Sequence, residues 1–494
     1  MKKRGMHMKK TNMNLIPDCE NQTPDYYCTW QTQLYATNDG KPKMQRQILG
    51  EKALFAQEKP FGWAYFYPDA RRDLYFVMDD SWDVPPDGDE SYYGSLVLNK
   101  EKFPESVGGK QSNAEALLSL TERIKSLGWK GLGGWVCAQE SERFDGKKYW
   151  ETRFQDANFS GFSYWKVDWG KHADDPDFRK MLTKLGHELA PKLTLEHAII
   201  RELIPVSDVF RTYDVPAIMS IPMTMEKLAA FSDLPKTEPG YRGLVNCEDE
   251  AYIAAAGGFS MGIMRHPYQG NFMNGKADLS FPAVHRNLKS KICEVTRAAR
   301  WHRIAPAFAM DGVHVSEKLY SDSWRFENTE EEMEQWWFSH PFMEGCIRDW
   351  VLTKKAPAAI SRNMELPQVL ESEHGMEPYL VASKNSNGVC AVAALGRTSD
   401  RTYRIPACDV LIDCHGADTV GVFGEYRTLH IKGVKPLSAV LIQDLAGECA
   451  FDVTEKIHIE SDRIIIPGEL IHQIGTSCNP AGDTSEPGVI IKLI

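Results

Sequence analysis

The chain has 494 residues, with 57 Lys+Arg against 68 Asp+Glu and a formal net charge of −11. That length suits two or three domains, each with its own core, and a composition 43% hydrophobic and 25% charged excludes a largely disordered chain. The acidic balance argues against nucleic acid or an anionic membrane as the main partner, because either asks for a basic surface.

The basic start, residues 1–17, never develops the apolar run of a secretory signal. No stretch approaches the ~18 apolar residues of a membrane span, so a cytoplasmic protein is expected, with secretion the alternative if a leader has been removed. The 11 cysteines include no C-x-x-C pair, which points to free thiols rather than a metal site or a disulfide framework. Strands are predicted at 26–30, 74–80, 131–137, 163–169, 192–198, 206–210, 242–248 and 259–265, with helical spacing between them, as in 114–128 and 175–190. Eight strands alternating with helices over about 250 residues are the pattern of a (β/α)8 TIM barrel. A helical stretch over 287–306 and an acidic, tryptophan-rich one over 329–352 follow, the second carrying Trp336 and Trp337 as an expected buried face. Beyond residue 375, short alternating strands punctuated by Gly, Asn and Asp predict a C-terminal antiparallel β-sandwich. The expected organisation is an extension over 1–22, a barrel with its helical extension over 23–355, and the sandwich domain over 356–494.

In a parallel barrel the functional groups sit at the C-terminal ends of the strands. Charge gathers there: Asp79-Asp80, Lys166 with Asp168, Glu196, Asp208 with Arg211 and Asp214, and Glu248-Asp249. Within Tyr164-Trp165-Lys166-Val167-Asp168 the period of two puts Tyr164, Lys166 and Asp168 on one face. A cation beside a partly desolvated carboxylate keeps it ionised, which is what a covalent glycosidase nucleophile requires. A retaining enzyme needs a second carboxyl group about 5–5.5 Å away, able to protonate the leaving oxygen. Asp214, just after the sixth strand, is the candidate, and Asp208, further back, is its more structural competitor. Arg211 is placed to hold hydroxyls or orient the acid. The 13 Trp, 18 Tyr and 21 Phe offer flat rings for the C–H faces of a sugar.

These residues together resemble the melibiase-type family of retaining α-galactosidases and α-N-acetylgalactosaminidases. Asp79-Asp80-Ser81-Trp82 is similar to its D-D-G-W signature, Lys166-x-Asp168 to its K-x-D nucleophile motif, Leu195-Glu196-His197-Ala198-Ile199 to C-E-W-P-L, and Asn246-Cys247-Glu248-Asp249 to the N-D-P-D of its seventh strand. The family's R-x-x-x-D acid/base segment is one residue shorter here, Arg211 to Asp214, and its M-G-W-N-S-W is reduced to Tyr26-Tyr27-Cys28-Thr29-Trp30. The resemblance implies that Asp79 and Asp80 accept the 4- and 6-hydroxyls of galactose and that Lys166 bonds near the 3- and 4-hydroxyls. Glu196 with Ile199 would read a 2-hydroxyl, while Trp30, Trp82 and Trp135 would supply stacking surface. It implies no metal or organic cofactor, and a small-molecule or oligosaccharide partner ending in an α-galactoside. Alternatives are the same pocket acting on α-N-acetylgalactosamine or β-L-arabinopyranose, an inactive sugar-binding relative, or a barrel for phosphorylated substrates, for which Gly257-Gly258 is the only candidate phosphate loop.

Overall fold

The computed structural model describes residues 9–37, 46–58, 62–83, 95–213, 215, 219–264, 291–325, 351–372 and 375–494. Eight parallel strands close into a barrel: β1 Tyr26–Cys28, β2 Tyr75–Met78, β3 Gly131–Val136, β4 Tyr164–Val167, β5 Thr194–His197, β6 Val209–Arg211, β7 Leu244–Glu248 and β8 Ser260–Ile263. All eight fall within or beside the segments read from the sequence. Closure is made by β1 against β8, with Tyr26 opposite Gly262 and Tyr27 opposite Ile263.

Alternation along each strand divides the buried residues into two layers. Tyr27, Phe76, Leu132, Trp165, Leu195, Phe210, Val245 and Met261 belong to the large apolar core outside the barrel wall. Tyr26, Cys28, Val77, Tyr164 and Met264 form a small separate cluster inside it. Gly262 makes room for that inner layer, since a Cβ there would lie 2.6 Å from the Tyr26 ring and 2.7 Å from the Asn246 amide.

Two of the barrel helices start on capping residues that their sequence supplies. Helix α1 covers Trp30–Thr37. Helix α2, Asn113–Ser126, is capped by Ser112, whose side chain accepts from the Glu115 N–H, while the Glu115 carboxylate accepts from the Gln111 N–H at 2.7 Å. Helix α3 is Tyr149–Ser160, and α4, Pro176–Leu189, opens on Asp175, which accepts from the N–H groups of Asp177 and Phe178 with proline in the first turn. Helices α5 Ser220–Ala230, α6 Ala251–Gly257 and α7 Ile292–Trp301 complete the wall used below.

The C-terminal part is a sandwich of a nine-stranded and a five-stranded sheet. The strands expected beyond 375 are present, among them Tyr379–Lys384, Cys390–Leu395, Cys408–Asp413, Thr419–Gly424, Val440–Asp444 and Arg463–Pro467. Most neighbours are antiparallel, but Ala359–Arg362 pairs in parallel with Tyr379–Lys384, Cys390–Leu395 with Thr419–Gly424, and Cys408–Asp413 with Thr428–Lys432. The larger sheet also takes in Val313–Val315, ahead of the boundary drawn at residue 356, and ends on Lys9–Lys10 from the N-terminal extension. Helices α6 and α7 rest on it. Trp301 packs over Gly421, where a Cβ would meet the indole at 2.9 Å, and the buried Arg297 forks onto Asp444 at 2.9 and 3.0 Å. The expected helix ending at 352 is replaced at its C-terminal end by the strand Val351–Pro357, paired with Leu319–Arg325. Trp336 and Trp337 lie outside the described residues.

Candidate active site at the barrel mouth

Asp168 leaves the C-terminal end of β4, anchored by its N–H on Val136 O at 2.9 Å and by its own carbonyl, which accepts from Arg179 Nη2 at 2.8 Å. Gly170 follows at φ +144, where a Cβ would lie 2.8 Å from the Ala138 nitrogen, so only glycine lets the two loops meet. Each carboxylate oxygen of Asp168 has one donor: Oδ1 accepts from Arg211 Nη2 at 2.6 Å and Oδ2 from Trp135 Nε1 at 2.9 Å. The residue is 9% exposed, unlike the fully enclosed acids beneath it. Burial pushes its carboxyl up, but the charges of Arg211 and Lys166 and the Trp135 hydrogen bond outweigh it, and the net direction is below the ordinary carboxylate range.

The sequence paired Lys166 with Asp168; the structure pairs it elsewhere. Its Nζ donates to Asp79 Oδ2 at 2.7 Å across the barrel, and the direct cationic partner of Asp168 is Arg211. Burial lowers the Lys166 pKa, yet Asp79 and its surroundings drive the net shift upward. Asp79 Oδ2 also accepts from the buried Cys28 thiol at 2.9 Å, and Oδ1 takes the Asp80 N–H at 2.8 Å. Asp80 is already engaged by Arg46 Nε on Oδ2 at 2.6 Å and by the Ser81 hydroxyl on Oδ1 at 3.0 Å. Burial raises its carboxyl, with Arg46 pulling the other way.

Glu196 is the floor of the site rather than a reader of substrate. It is wholly buried and accepts from four strands: Tyr26 Oη at 3.1 Å and Arg211 Nη1 at 3.3 Å on Oε1, Tyr164 Oη at 2.7 Å and Asn246 Nδ2 at 2.9 Å on Oε2. With those four bonds made and no exposed surface, it has nothing left for a sugar hydroxyl, which corrects the role implied for it. Burial pushes its carboxyl up, against Arg211 and the Tyr164 hydroxyl. Arg211 is therefore a hub, its Nε also 3.9 Å from Glu248 Oε1. Among the described residues, Arg211 Nε, Glu248 Oε2 and Asn246 Oδ1 are buried without a hydrogen-bond partner, so polar capacity around this guanidinium is unspent.

Trp82 is also corrected. It is 1% exposed, its ring packs tilted on Phe162 at 5.5 Å between centroids and its indole N–H is bonded to Trp135 O at 2.9 Å, on the outer side of the wall. Ser81, at φ +80, turns the chain there, so Trp82 offers no surface to a ligand in the barrel. Trp135 faces inward but holds Asp168 and is itself 1% exposed; the open ring beside it is Trp169, 5.6 Å away and 36% exposed. Trp30, first residue of α1, is half-buried against the inner cluster. Asp208 precedes β6 at the opposite end of the barrel, accepting from His187 at 2.8 Å and the Leu195 N–H at 3.1 Å, which removes it as competitor for the acid. Asp214 lies outside the described residues. Sequence reasoning missed Arg46 and gave no role to Tyr26, Cys28 and Asn246, which it quoted only within motifs; their contacts arise once the barrel closes.

The sequence matches no family model and no curated protein. Among solved structures it is similar to a GH27 β-L-arabinopyranosidase from Geobacillus stearothermophilus, at 11% identity over 96% of both chains with a TM-score of 0.41. It is similar to a Bacteroides fragilis protein to which α-galactosidase activity is ascribed, at 11% identity over 95% of this chain and 79% of that one, TM-score 0.43. A Bacillus halodurans protein to which α-N-acetylgalactosaminidase activity is ascribed shares 12% identity over 99% of both chains, TM-score 0.41.

Proposed function

We propose that the protein is a retaining exo-glycoside hydrolase that releases terminal α-linked galactose through a covalent glycosyl-aspartate. The observation that carries this reading is Asp168: an ionised carboxylate at a strand end, reachable from the mouth, with both oxygens oriented by Arg211 and Trp135. Asp168 attacks the anomeric carbon while Asp214 protonates the departing oxygen; Asp214 then deprotonates the water that frees the sugar with its configuration kept. Around it, among the described residues, Asp79, Asp168, Glu196 and Glu248 have Lys166 and Arg211 as their direct cationic partners. A wall with that balance favours positive charge developing at the anomeric carbon.

A pentopyranoside is the second reading, and the Arg46–Asp80 pair favours it. Asp80, one of the two carboxylates that the resemblance assigns to the 4- and 6-hydroxyls, is occupied on both oxygens, and β-L-arabinopyranose is galactose without the hydroxymethyl arm. A panel of nitrophenyl α-galactoside, α-N-acetylgalactosaminide and β-L-arabinopyranoside, with the first-formed anomer followed by proton NMR, separates these readings. Retention on the galactoside is expected; inversion, or turnover of none, rejects the proposal. Arg46→Ala is expected to raise the galactoside to arabinopyranoside ratio of kcat/KM roughly tenfold by freeing Asp80. Trp135→Phe removes one donor from Asp168 and is expected to lower kcat by about 10–100-fold with the fold retained; full activity would show that the indole N–H does not orient the nucleophile.

A further inference from the structure

At the end of the barrel opposite Asp168, the leading ends of the strands surround a cavity of about 360 Å³ that the mechanism does not use. Lys130, just ahead of β3, and Arg242, just ahead of β7, both line it, with Lys192, His187 and Tyr75. Lys130 Nζ donates to Asn21 O and, at 2.8 Å, to Thr23 O, which leaves one of its three protons; it lies 4.9 Å from the centre of the Tyr75 ring. Arg242 gives one N–H to Gln22 O at 3.3 Å, and its remaining donors have no partner among the described residues. The Tyr75 hydroxyl is likewise without one.

The acids nearby are committed elsewhere. Asp208 is held by His187 and the Leu195 N–H, Asp25 by Asn21 at 2.8 Å and His302 at 2.6 Å, and Asp73 by Arg303 at 2.9 Å. Among the described residues the acids lining the cavity are Asp208, so engaged, and the exposed Glu20 at the rim. Burial draws Lys130 down to about 8 against the opposing charges of Asp25 and Asp73, and Arg242 adds a smaller push downward. Two cations and a phenol converging on one small polar cavity are complementary to an anion.

We propose that this cavity binds a tetrahedral oxyanion, free or carried as the phosphate monoester of a small polyol, between Lys130 and Arg242. Donors approaching from different strands around a closed ring suit a tetrahedral group better than a planar carboxylate. The volume exceeds what one phosphate fills, and the Tyr75 ring offers an apolar face for a polyol. The site is independent of the glycosidase reading.

Calorimetric titration of the full chain with orthophosphate, with glucose 6-phosphate and with glucose tests it. Saturable binding of one equivalent of either phosphate is expected, weakened roughly tenfold or more in Arg242→Gln and in Lys130→Met, and unchanged in Asp168→Asn. Arg242 is exposed, so its variant keeps the core and remains informative if Lys130→Met fails to fold. Tighter binding of glucose 6-phosphate than of orthophosphate identifies the monoester; equal binding identifies the free oxyanion. No saturable binding of either phosphate, affinity undiminished in Arg242→Gln, or binding lost in Asp168→Asn overturns the proposal.

Discussion

Asp168→Ala is expected to reduce turnover of an aryl α-galactoside by a factor of about 10⁴ or more, with the far-UV spectrum and unfolding transition retained. The fold survives because Arg211 keeps Glu196 and Glu248 as partners when Asp168 is gone, and because the strand is anchored through the backbone of residue 168. Azide admitted to the space the carboxylate leaves would attack from the same face and give the β-configured glycosyl azide, restoring part of the rate. A variant with undiminished turnover would take the nucleophile's role from Asp168.

The second large effect is expected at Arg211. Arg211→Met leaves Asp168, Glu196 and Glu248 without their shared cation, and removing one partner of a buried ion pair destabilises by about 3–5 kcal/mol. Arg211→Lys keeps the charge but cannot span the same acids, so it is the informative variant if the first does not fold. Arg211 helps hold the Asp168 carboxyl below its ordinary range. Weakening that bond raises the folded-state value, so the acidic limb of the pH profile of kcat/KM moves to higher pH. The same depression means that the pair contributes stability fully present above the unfolded carboxylate pKa and lost as pH falls through the folded one. An unmoved acidic limb in Arg211→Lys would show that Arg211 does not set the ionisation of Asp168.

Much of this architecture was legible in the sequence because the barrel rests on local pattern. Period-two strands with polar inner positions and apolar outer ones announce both the wall and the face that carries chemistry, and Tyr164, Lys166 and Asp168 follow that rule. What escaped is tertiary. The four donors on Glu196 come from four strands, so nothing near residue 196 shows that its oxygens are saturated. Ser81 takes a φ that glycine adopts more readily, and the resulting turn sends Trp82 out of the barrel although its motif suggested a pocket residue. Local pattern places Asp208 inside a strand, whereas β6 begins one residue later, which leaves it at the far end. In the sandwich, local alternation located the strands, while the parallel pairings and the edge strand Lys9–Lys10 depend on crossovers that alternation cannot encode.

The most direct measurement is mass spectrometry of the full chain after incubation with an activated 2-deoxy-2-fluoro galactosyl donor, which slows hydrolysis of a glycosyl-enzyme more than its formation. The expected result is one added fluorohexosyl group on the peptide containing Asp168, with activity lost in step. Label on another carboxyl group, or steady turnover of the natural-configuration galactoside by a chain that no such donor modifies, would contradict it.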